Sequence, residues 1–69
     1  MIEVFTTNVQ EAAEANRLVA LLTRHFPGNK INFDLDDCDK ILRVEGRNFT
    51  ADGIILLLKE TGFACDVLE

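Results

Sequence analysis

The chain contains no serine and no tyrosine, one histidine, one proline and two cysteines in 69 residues. Each shortage removes a class of function. Without serine or tyrosine, common catalytic nucleophiles and acids are missing. Two cysteines are too few for a disulfide scaffold. No glycine-rich phosphate loop is present, so no catalytic apparatus is visible and the chain reads as a non-enzyme. Basic residues are scarce as well: seven Lys and Arg against twelve Asp and Glu leave a net charge of −5. No two of the seven are adjacent, which speaks against nucleic acid and against an acidic membrane surface, since both are held by clustered cations. The opening residues Met1-Ile2-Glu3-Val4-Phe5 form neither a basic leader nor a long apolar run, so the expected compartment is the cytoplasm.

What is there is an apolar share of 48%, enough for a real core and against disorder. The length fits one domain over residues 1–69, although a chain this short buries only about 60% of its extended surface. Ile2, Val4 and Thr6 alternate with Glu3 and Phe5 in a first strand. The spacing Asn8-Val9-Gln10-Glu11 predicts a capping box for a first helix. Ala12, Ala15, Val19, Leu22 and Phe26 give that helix an apolar stripe flanked by Leu18, and Pro27-Gly28 stops it.

A second strand places Ile31, Phe33 and Leu35 inward, and a third places Leu42 and Val44 inward with Ile41, Arg43 and Glu45 outward. Thr50 or Asn48 caps a second helix, Gly62 takes its left-handed C-terminal position, and residues 63–68 form a last strand. The predicted fold is α+β: a ferredoxin-like βαββαβ two-layer sandwich whose antiparallel sheet has the order 4-1-3-2.

The second half carries a resemblance. Ile31-Asn32-Phe33-Asp34-Leu35, Val44-Glu45-Gly46, and the helix leading into Leu58-Lys59-Glu60-Thr61-Gly62-Phe63 resemble heavy-metal-associated domains, the copper chaperones and the N-terminal modules of metal-pumping ATPases. The likeness in element order covers nearly the whole chain. The residue match is confined to positions after about Lys30 and is mainly structural. The family's functional motif, M-x-C-x-x-C between the first strand and helix, holds a soft cation through two thiolates. Here that stretch reads Phe5-Thr6-Thr7-Asn8-Val9-Gln10-Glu11. The resemblance therefore implies the fold without the metal-transfer site.

Remaining chemistry is sparse. Cys38 lies in a turn with Asp36, Asp37 and Asp39, a candidate site for a divalent or soft cation, although carboxylates and a thiol prefer different metals and Asp also favours turns for its own sake. Cys65 alternates in phase with Phe63 and Val67 and reads as a small core residue, about 10 Å or more from Cys38 by strand spacing. His25 belongs to the last turn of the first helix, at the end opposite Cys38, so no Cys–His pair is expected.

Exposed apolar residues carry the functional expectation. Ile54-Ile55-Leu56-Leu57-Leu58 is an unbroken apolar run; Leu56 falls about 200° from Ile54 and points to solvent, with Ile55 on the flank. On the open sheet face, Phe5 and Ile41 are expected to form an apolar spot among acids. The expected interaction surface is Phe5 with Ile41, or Ile55 with Leu56. The expected partner is an unknown basic protein or a second copy of the chain, with no cofactor. Metal binding through Cys38, or small-ligand sensing by analogy with other βαββαβ regulatory domains, is the alternative.

Overall fold

The computed structural model describes residues 1–69, and its elements run β1 (Ile2–Thr7), α1 (Ala12–His25), β2 (Lys30–Asp34), β3 (Ile41–Glu45), α2 (Ala51–Glu60) and β4 (Cys65–Val67). The four strands form one antiparallel sheet in the order β2-β3-β1-β4. Read from the β4 edge, this is 4-1-3-2. The result is a small α+β domain compatible with the ferredoxin-like arrangement. No helix is long and apolar enough to cross a membrane.

One core cluster takes a residue from every element: Phe5, Leu22, Ile31, Leu42, Ile54 and Cys65, joined by Val44, Phe49 and Leu58. Val9, Ala15 and Leu18 form a smaller one beneath the β1–α1 connection. The inward phases expected for β2 and β3 hold: Ile31, Leu42 and Val44 are buried, and Phe33 and Leu35 half-buried. On α1 the buried line is Ala15, Leu18 and Leu22, so Leu18 sits at the centre of the stripe and Ala12 is exposed.

The phase of β1 is the opposite of the expected one. Phe5 stands opposite Leu42 on one side and Val67 on the other, and it is fully buried. Ile2 and Val4 instead face away from the helices, Val4 opposite Arg43 and Ile2 opposite Glu45. The alternation in this strand offers apolar residues to both faces, and an aromatic ring at the sheet's centre removes more apolar surface from water than a valine there. The losing side of that choice leaves Glu3, on the inward phase, half-exposed at the margin.

Helix ends also differ in detail. The capping box of α1 is Glu11 with Glu14, three residues later than Asn8 predicts. Asn8 accepts a hydrogen bond from the Ala64 amide instead (2.8 Å). Thr50 caps α2, its hydroxyl accepting the Gly53 amide at 3.0 Å. Phe49 precedes that cap, and both it and Ile54 enter the core at hydrophobic-staple spacing. Gly62, with φ +97°, ends α2: its amide donates to Lys59 O and that of Phe63 to Leu58 O, each at 3.0 Å. β4 is shorter than expected, because Phe63 and Ala64 form the connection out of this cap.

Candidate functional site

Three places meet at one end of the sheet. The β1 terminus is tied to the β2–β3 turn by the Thr7 amide donating to Asp39 O (3.1 Å) and the Thr7 hydroxyl donating to Lys40 O (2.6 Å). The same hydroxyl accepts the Val9 amide (3.2 Å), and Asn8 binds the Ala64 backbone. The turn, the β1–α1 loop and the approach to β4 therefore share this end, as the predicted topology requires. The loop between β1 and α1 uses the Thr7 hydroxyl and the Asn8 side-chain oxygen to brace the backbone.

Two acids at this turn are braces too. Asp34 accepts the Asp36 amide at 3.2 Å, and Asp37 the Asp39 amide at 2.9 Å, the short-range pattern that makes Asp a turn residue. The Lys40 ammonium donates to Leu35 O at 2.9 Å. Asp37, Cys38 and Asp39 are all exposed, with one donor atom from each lying within 4.8 Å of the others. Asp36 stands outside this group. Cys38 is a free, exposed thiol, whereas Cys65 is free and 1% exposed. Burial, with the Asp66 carboxylate adding to it and Lys59 opposing, pushes the Cys65 thiol up to about 12. It is a core side chain without nucleophilic character at neutral pH. His25 is exposed at the end of α1, with β2 leading from its end of the sheet to the Cys38 turn.

Of the expected association residues, Phe5 leaves the surface altogether. Its substitution by Glu would bury a charge in the core rather than probe a contact. Ile41 is half-exposed on the helix-free face, opposite Asp34. Ile55 is half-buried and packs against the core, while Leu56 is 59% exposed on the outer side of α2. The reversed phase of β1 brings other residues to the open face. Ile2 is about half-exposed, and Leu68, whose amide donates to Val4 O at 2.9 Å, is also exposed beside Val4. Ile2, Val4 and Leu68 thus form the apolar spot that Phe5 was expected to supply. Its neighbours across the strands are Arg43 and Glu45. The signal for this spot is present in the sequence as Ile2 and Val4, but their side is decided by which residue the core takes.

No polar or charged side chain is buried, and no buried side-chain nitrogen or oxygen lacks a hydrogen-bond partner. The surface has two hollows. One, about 260 Å³, lies between α1 and the end of α2 around Leu18, Leu21 and Phe63. The other, about 480 Å³, is an open groove between α1 and the outer edge of β2. Comparison of the chain with protein-family models, with curated proteins and with solved structures finds no match in any of the three.

Proposed function

We propose that the chain is a ferredoxin-like module, similar to heavy-metal-associated domains, that acts by non-catalytic association with another protein or with its own kind. The observation that carries this reading is the apolar spot of Ile2, Val4 and Leu68 on the sheet face that no helix covers. Open antiparallel sheets ordinarily present polar residues to solvent, and contiguous exposed apolar groups on a small domain mark contact surfaces. Leu56 on α2 is a second, separate apolar point. The net charge of −5 favours a partner that is basic or that matches acids with its own cations.

The test is chemical cross-linking in extracts of the producing cell, comparing the wild type with Leu68→Glu and Leu56→Glu. Both positions are exposed, so circular dichroism should show unchanged folds. Loss of specific cross-linked products in either variant is the expected result. An identical product pattern in all three proteins would remove both surfaces from the reading.

A second reading is favoured by the grouping of Asp37, Cys38 and Asp39: weak binding of a divalent or soft cation at the turn. Cys38→Ala separates the two. It abolishes saturable chemical-shift changes with Zn(II) or Cu(I) under this reading, and leaves association untouched under the first.

A further inference from the structure

The two edges of the sheet are unequal. β4 has three residues, whereas β2 has five and pairs with β3 alone. All five pair in unbroken register with β3, so β2 carries no bulge, and no proline interrupts it. Bulges and prolines are among the devices that keep an edge strand from joining another chain. Alternate residues of β2 therefore direct N–H and C=O groups outward, in position to extend the ladder. Beside this edge runs the groove of about 480 Å³, whose apolar lining is Ala12, Ala15 and Val19 of α1, Ile31 and Phe33 of the strand and Leu35 just beyond it, with four polar residues completing it.

The order of residues along β2, Lys30-Ile31-Asn32-Phe33-Asp34, says what fits there. The geometry points to a second copy of this chain, paired antiparallel through β2 about a two-fold axis at Asn32. This deepens the association reading and rests on it. In that register Lys30 stands opposite Asp34 of the second copy, and Asp34 opposite its Lys30. Ile31 meets Phe33, and Asn32 meets Asn32 on the axis. Lys30, Asn32 and Asp34 share the helix-free face with Glu45, Arg43 and Ile41, while Ile31 and Phe33 lie on the helix side with Val44 and Leu42. The pairing thus sets charge against opposite charge on one face and apolar against apolar on the other.

Competing registers do worse. A slip of the sum by one residue would put the two copies' helices on opposite faces of the joint sheet. A slip by two would leave part of β2 unpaired and remove Lys30 from Asp34. A generic basic peptide would not need Lys30, whereas a second copy uses every charge in the strand. The isologous contact closes on itself and joins two four-stranded sheets into one of eight. It also brings the two α1 helices together across the groove, where Ala12 and Ala15 permit close approach.

Sedimentation equilibrium of three variants tests the charge pattern. Lys30→Asp alone and Asp34→Lys alone each set like charges opposite one another twice, and each should weaken self-association at least about tenfold. An equimolar mixture of the two should dimerise as well as the wild type, because both facing pairs are again of opposite sign. So should the double variant K30D/D34K. Independently, Asn32→Cys in a Cys38→Ala background should form an interchain disulfide under mild oxidation, since facing residues lie about 4.5–5.5 Å apart at Cα, within disulfide range. This holds even if Lys30→Asp folds poorly beside Glu45. A wild type that stays monomeric at NMR concentrations overturns the proposal but leaves association with a different protein standing. A dimer indifferent to the β2 charges yet lost in Leu68→Glu also overturns it, and assigns self-association to the open face. If neither surface affects any partner, the association reading fails with it.

Discussion

Phe5 shows how one side chain sets the function available to a whole face. Its ring lies between Leu42 and Val67 and is fully buried, which commits Ile2 and Val4 to the opposite side. The energetic asymmetry is testable. Phe5→Ala removes a core ring and should cost about 3–5 kcal/mol, whereas Ile2→Ala, half-exposed, should change stability by no more than about 0.5 kcal/mol. Urea unfolding of the two variants measures both. Comparable losses would mean that β1 is rotated by one residue from the phase described. The alternation of β1 was legible, but not its side, because Ile2 and Val4 are as apolar as a core strand requires. Only the relative size of Phe5, and the neighbours it meets, break the tie.

At the scale of elements, two glycines separate conformational from steric demand. Gly62 takes φ +97° in the cap of α2, and a Cβ there would meet nothing within 4 Å. Its replacement by alanine costs only the left-handed backbone, about 1–2 kcal/mol. Gly46, at φ +153°, would in addition drive a Cβ into the Asn29 side chain and to 3.1 Å from the Asn29 Cα. Asn29 cannot simply move away. Its amide nitrogen donates to Phe26 O (2.8 Å) and Asn48 O (3.3 Å), and its oxygen accepts the Asn48 amide (3.3 Å). Gly46→Ala should therefore cost more, about 2–4 kcal/mol, read from the difference in thermal or urea midpoints. Gly62 announced itself by its place after the last apolar turn of α2. The crowding at Gly46 did not, because Asn29 is seventeen residues away in the chain and only the fold brings the two together.

The whole molecule is expected to unfold as one unit, since its main core draws on all six elements. Cys65 reports on that equilibrium. In the unfolded chain its thiol ionises at the ordinary value of 9.0, and in the fold at about 12. Between these values the unfolded state binds fewer protons than the native one, so raising the pH favours unfolding. Below 9.0 the thiol contributes no pH dependence. Above it, stability should fall by about 1.4 kcal/mol per pH unit from this group. Urea titrations from pH 8 to 11 on the wild type and Cys65→Ala check it: the slope should flatten in the variant. A thiol-reactive probe should label Cys38 at once and Cys65 only as the circular dichroism signal is lost. Early labelling of Cys65 would mean that β4 opens on its own.

By itself the sequence determined the order of elements, the inward phase of β2 and β3, the Gly62 stop and the core place of Cys65, and it narrowed the cap of α2 to Thr50 or Asn48, of which the fold uses Thr50. These rest on local spacing and on residue types whose preferences act over a few positions. It also determined that no thiolate pair stands between the first strand and helix. The tertiary structure alone decided the side of β1, because two faces of nearly equal apolarity are told apart only by what packs against them. It decided that Thr7 and Asn8 brace the backbone, since their partners, Lys40 and Ala64, are far along the chain. It also made β2 the longer of the two edges that the order 4-1-3-2 implies, since the cap at Gly62 draws Phe63 and Ala64 into the connection and leaves β4 three residues.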